Sequence, residues 1–152
     1  MTAQEQEFWD RFRTATGDKT AAPADIFRFG DSAAMSNELL GLVLSGRKRA
    51  TCSLARWYGP GLAPLPAAGE LSLILDGEDQ PRCVIRTTSV ELRSVRSVDA
   101  DFARDEGEGD LSLEGWRAEH LEFWQREATR ERFTFCEDLD AVLHRFVLVW
   151  AE

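Results

Sequence analysis

Apolar residues recur at helical spacing in some stretches of the chain and alternate with polar ones in others. Thr2 and Glu5 form a capping-box pair, and Phe8, Trp9 and Phe12 follow on one helical face before Gly17. A first helix is expected there, then a loop over residues 18–24. Ile26 to Phe29 alternates like a short strand that ends at Gly30. Asp31 or Ser32 caps a second helix carrying Met35, Leu39, Leu42 and Val43, and Gly46 sits where a left-handed residue closes a helix. From Ala50 the period changes to two, with Ala50, Cys52 and Leu54 set against Thr51 and Ser53. In this alternation Cys52 reads as a small core residue.

Three prolines and three glycines between Tyr58 and Gly69 predict a loop. Leu71–Leu75 and Cys83–Val90 flank Asp76-Gly77-Glu78-Asp79, a strong hairpin signal. Asp99–Arg104 reads as a short helix that ends at the loop EGEGD, residues 106–110. Ser112 caps a longer helix through about Glu127, with Trp116, His120 and Trp124 in one stripe, and Arg145–Trp150 closes as a strand. Such stripes are usually core, so His120 is expected to be partly buried and hydrogen-bonded rather than catalytic. Strands and helices mix without regular βαβ alternation. The expected fold is therefore α+β, a small barrel-like sheet with flanking helices. No repeat, low-complexity tract or long linker divides the 152 residues, so one domain is expected, with residues 1–17 as an additional N-terminal helix.

Composition narrows the function. Hydrophobic residues at 43%, including 9 Phe and 5 Trp, support a packed core of ordinary density without a metal or disulfide staple. No apolar run approaches a membrane span, and residues 1–10 lack the basic and apolar regions of a secretory signal. Three widely spaced cysteines without a CxxC pair fit a reduced, cytoplasmic setting and no zinc site. The net charge of −9 argues against a duplex DNA binder, which needs a basic excess. The charge is nevertheless segregated. Leu39 to Gly69 holds no acid and four bases, whereas Asp99 to Glu131 holds eleven acids against four bases. A local basic site on an acidic body suits a small nucleotide-like ligand, or a short single strand.

The densest reactive cluster is Gly46-Arg47-Lys48-Arg49-Ala50-Thr51. If Ala50, Cys52 and Leu54 face the core, Thr51 faces the other way, toward a cleft. Lys48 lies three residues earlier, and a lysine with a depressed pKa acts as base toward a hydroxyl in Ser–Lys variants of the triad. A plain basic turn after a helix C-terminus, where cations favour the dipole, accounts for the spacing at least as well. Trp57 and Tyr58 either stack on a base or cap the barrel core. The acidic run Asp105–Asp110 lacks EF-hand spacing and the third glycine of a dinucleotide fingerprint, so neither a metal nor a cofactor is expected.

The runs ELLGLVLSGRKRATCSL and DADFARDEGEGDLSLEGWRAEHLEFW resemble the ASCH (activating-signal-cointegrator homology) family, and within it the longer bacterial subgroup with an EGEGD-type loop. The resemblance extends from about Phe29 to Trp150. It implies a PUA-like β-barrel whose cleft takes nucleosides or single-stranded RNA. Some small members deacylate N4-acetylcytidine with a Lys, a Thr and a Glu. Lys48 and Thr51 match the first two, and Glu106 is the best match for the third, with Glu108 next. The resemblance thus implies an amidohydrolase in which a neutral Lys48 takes the Thr51 proton and Glu106 either shuttles a proton to the leaving amine or orients the base. Arg47, Arg49, Arg56, Trp57, Tyr58 and Glu108 are the expected ligand-binding residues. Ser53 stands where the small members carry Arg, and Arg49 or Arg56 is expected to replace that charge. An RNA-binding module and a ribonuclease are the other activities the resemblance allows.

Overall fold

The computed structural model describes every residue from Met1 to Glu152. Helices α1 (Ala3–Thr16), α2 (Ala33–Leu44), α3 (Ala100–Glu106) and α4 (Leu113–Glu131) surround a five-stranded sheet. The strands are β1 (Asp25–Phe27), β2 (Ala50–Leu54), β3 (Leu71–Leu75), β4 (Pro81–Ser94) and β5 (Asp140–Ala151), in the order β1-β3-β4-β5-β2. Only β1 and β3 run parallel. The long β4 and β5 pair antiparallel over most of their length, and register shifts in β4 at Val84/Ile85 and Thr87/Ser89 interrupt the ladder. Such bulges increase local twist, and the sheet forms a half-barrel.

The hydrophobic pattern decides which helix covers which face. On β3, Leu73 joins Phe8, Trp9, Phe12 and Val84 under α1, while its neighbour Ile74 joins Phe29, Leu40, Val43, Cys83, Ile85 and Phe146 under α2. Successive strand residues point to opposite faces, so one pair of β-branched and γ-branched positions serves two layers. A third cluster joins Ala50, Leu54 and Leu143 of the sheet to Phe102, Trp116 and Trp124 of α3 and α4.

The capping box at Thr2 and Glu5 forms as expected, and Ser32 rather than Asp31 caps α2 by accepting from Met35 N at 3.1 Å. Several boundaries differ from the sequence pattern. β1 stops at Phe27, β4 continues to Ser94, and α4 runs one turn past Glu127. β5 starts at Asp140, because Ala141, Val142, Leu143 and His144 are all buried and show no alternation. α3 extends to Glu106, so the first acid of the EGEGD run is helical. α1 packs on the sheet face opposite α2 and contributes nothing to the cavity described below.

Candidate active site

Two helix ends meet at the centre of the molecule. α2 ends at Leu44, and its chain turns through Gly46 (φ +80°) while the N–H groups of Arg47 and Lys48 both donate to Leu42 O at 3.0 Å. Arg49 N–H then donates to Asp105 O at 2.7 Å, which fixes the end of α3 beside this turn. Gly107 closes α3 at φ +71°, and a Cβ there would lie 2.2 Å from Arg47 O. Only glycine meets both the left-handed backbone and the close approach. Gly107→Ala is therefore expected to lower Tm by roughly 2–10 °C in thermal unfolding, from backbone strain of about 1–3 kcal/mol plus the clash.

This junction buries Lys48, whose side chain is 1% exposed. Its ammonium donates to Ala50 O at 2.8 Å, Glu106 Oε2 at 2.9 Å and Glu108 Oε2 at 3.2 Å. Burial alone would lower the Lys48 pKa, but Glu106 and Glu108 more than offset it and the net shift is upward. Lys48 is thus a cation with all three protons engaged, none on Thr51. The neutral lysine base expected from the sequence does not fit this environment. Burial opposes ionisation of Glu106, yet Lys48 and His120 bring its carboxyl well below the usual range. Glu108 goes the other way. Burial, its hydrogen bond with Glu106 and the charge of that neighbour outweigh Lys48, and its pKa rises to about 7.

His120 Nε2 lies 3.1 Å from Glu106 Oε1, Nδ1 lies 2.9 Å from Trp116 O, and the ring stacks on Trp116 at 4.2 Å. Burial would lower its pKa, but Glu106 raises it on balance. The expected hydrogen-bonded, partly buried histidine is present, and it also belongs to the reactive cluster. Donor atoms of Glu106, Glu108 and His120 lie within 4.8 Å of one another, a spacing that suits a cation. The cation placed against the two carboxylates is the Lys48 ammonium.

The cluster forms one wall of a cavity of about 460 Å³, within the range of small-ligand sites. Thr51, Cys52 and Ser53 of β2 line it, so Cys52 faces the cavity as well as the core, and burial pushes its thiol pKa well up. Trp57 packs against the core cluster of α3 and α4, edge-on to Phe133, and both Trp57 and Tyr58 border the cavity. The Tyr58 hydroxyl lies 2.9 Å from Ser53 Oγ. Arg47, Arg49 and Arg56 do not line it. Arg47 donates to Gly109 O at 2.6 Å, Arg49 pairs with Asp105 at 3.1 Å, and the Arg56 guanidinium sits 3.7 Å from the Phe133 ring centre. These three arginines serve the scaffold, and neither Arg49 nor Arg56 replaces the charge absent at Ser53. Sequence reasoning missed His144. It is the cross-strand partner of Thr51, lines the cavity and lies 2.8 Å from Thr87 Oγ1.

A half-barrel sheet with a ligand-sized cavity at its helical junction defines a PUA-like domain. The ASCH domain pattern matches residues 25–150, and the chain belongs to this family. It is similar to a protein from Enterococcus faecalis V583 whose crystal structure shares 37% identity, with 100% of this chain and 96% of that one covered and a TM-score of 0.87. It is also similar to an ASCH domain from Lactobacillus crispatus JV V101, at 31% identity, 97% and 95% coverage and a TM-score of 0.88. No curated protein matches the sequence. No helix is long and apolar enough to cross a membrane.

Proposed function

We propose that the protein is an amidohydrolase that removes an acyl group from the exocyclic amine of a nucleoside-sized base, with N4-acetylcytidine as the reference substrate. The observation that carries this reading is the Lys48–Glu106–Glu108 cluster on the wall of a cavity that also displays the Thr51 hydroxyl. The ASCH resemblance supports it, since Lys48 and Thr51 match the Lys and Thr of the deacylating members and Glu106 is the best match for their Glu. The aromatic rings of Trp57 and Tyr58 offer faces for a planar base.

In this reading Thr51 Oγ attacks the acyl carbon, the C–N bond breaks, and the acyl group is held as a Thr51 ester until water releases it. Glu108, with a pKa of about 7, supplies the proton that the departing amine needs. Lys48 keeps Glu106 ionised and adds positive potential beside the oxyanion that develops. Arg47, Arg49 and Arg56 take no part.

The cavity's charge favours a nucleoside over an RNA strand. Asp25, Glu70, Glu106, Glu108, Glu119 and Glu127 line it against Arg28 and Lys48, and this acidic excess repels phosphate. Single-stranded RNA binding and ribonuclease activity are the second reading. Chromatography of cytidine release from N4-acetylcytidine distinguishes them. Release by the wild-type protein and its loss in Thr51→Ala, with the fold intact, is expected. Equal release by both proteins, or none by the wild type, would remove the assignment.

A further inference from the structure

We propose that His144 is the base that takes the proton from the Thr51 hydroxyl; this rests on the amidohydrolase reading above. The need for a base arises because Lys48, the obvious candidate, has no free lone pair and no free proton. The β2–β5 register places Thr51 directly opposite His144, and both line the cavity. Side chains opposed across an antiparallel pair have Cβ atoms about 4.5–5.5 Å apart, which brings an imidazole within reach of a hydroxyl.

The orientation of the ring follows from β4. A register shift between Thr87 and Ser89 re-aims this stretch of the strand, and Thr87 Oγ1 lies 2.8 Å from His144 Nε2. Thr87 is itself fixed, since its N–H donates to Glu70 O at 2.9 Å. The role requires the tautomer in which Nε2–H donates to Thr87 Oγ1 and the lone pair is on Nδ1. Neither Nδ1 nor the Thr51 hydroxyl has a partner within the protein, and neither is among the sealed, unpartnered polar atoms, so both open to the cavity. His144 is 7% exposed, and that small accessible area faces the site. Glu70 is the charged group that bears on the ring and raises its pKa; Thr51, Thr87 and Phe146 around it carry no charge. Burial outweighs Glu70 and lowers the pKa to about 4, so the ring is neutral at the pH where Glu108 is still largely protonated. Two groups whose environments push them apart in this way are matched as base and acid.

The proton balance closes over one cycle. Thr51 Oγ–H passes its proton to His144 Nδ1 as Oγ bonds to the acyl carbon. Glu108 gives its proton to the amine as the C–N bond breaks. Glu108, now a carboxylate, takes a proton from the water that attacks the ester. The imidazolium returns its proton to Thr51 Oγ as the acid leaves.

His144→Gln tests the assignment, because a glutamine amide reproduces Nε2 toward Thr87 but offers no base at the Nδ1 position. With N4-acetylcytidine as substrate, kcat is expected to fall roughly 10²–10⁴-fold with KM nearly unchanged and the thermal midpoint close to wild type. Turnover within threefold of wild type would overturn the role of His144 while leaving the amidohydrolase reading in place. An inactive wild-type protein would overturn both. If His144→Gln does not fold, Thr87→Val decides. It keeps the ring but frees its tautomer, so a drop in kcat without change in KM supports the proposal and unchanged kcat overturns it.

Discussion

Lys48→Met is expected to destabilise the fold by about 3–5 kcal/mol, the loss found when one member of a buried ion pair is removed. For a chain of this size that is a fall in Tm of roughly 6–20 °C. The reason is the state of the partner left behind. Glu106 is 1% exposed, lies against Glu108, and is ionised chiefly because Lys48 and His120 offset its burial. Without the ammonium, both carboxyls must rise in pKa, and the folded state then binds more protons than the unfolded one. Stability of the variant is therefore retained at low pH and lost as pH rises. Thermal melts at pH 5 and pH 8 read this directly, and the variant's deficit is expected to be larger at pH 8. Adding Glu106→Gln should recover much of the loss, since a neutral amide no longer needs the cation. A Lys48→Met protein as stable as wild type at pH 8 would show that the pair contributes little. Cytidine release should disappear in the single variant and stay absent in the double one.

This sensitivity explains why the site was only partly legible in the sequence. Lys48 and Thr51 stood out because a helix end and a strand start confine them to six residues. The resemblance points to Glu106, with Glu108 next, but nothing in an acidic, glycine-rich run announces a fully buried carboxylate. Its burial depends on Gly107 lying against Arg47 O, a contact between segments some sixty residues apart. The three arginines misled for the opposite reason. Positive charge after a helix end suggests ligand binding, whereas here Asp105, Gly109 O and an aromatic face absorb it. The stripe that His120 shares with Trp116 and Trp124 points to a structural residue, and one ring nitrogen does serve that role while the other faces Glu106. His144 left no signal because the first half of β5 is buried without alternation. The helices, the central hairpin and the α+β class were legible, since each rests on a local cap, turn or period. Strand order and the bulges that aim Thr87 depend on long-range pairing.

The pH profile of turnover is the second large effect, and its sign follows from which form of Glu108 works. As the proton donor to the leaving amine, Glu108 must be protonated, so kcat/KM is expected to fall tenfold per pH unit above about 7. Lys48, Glu106 and His120 are the charged groups around it. Lys48 and His120 pull its pKa down, while burial and Glu106 hold it up. Glu108→Gln keeps the shape and the hydrogen bond to Lys48 but has no proton to transfer. It should lower kcat roughly 10²–10⁴-fold and abolish the alkaline limb. A profile that instead rises through pH 7 would identify Glu108 as a base and reverse the acid and base assignments. The same shift affects stability with the same sign. A carboxyl raised in the folded state favours folding fully below its ordinary value of 4.5 and loses that contribution as pH passes about 7. Activity and stability are thus both expected to decline on the alkaline side, and Glu108→Gln separates them. The variant should lose turnover at every pH, while its melting temperature becomes less dependent on pH around 7.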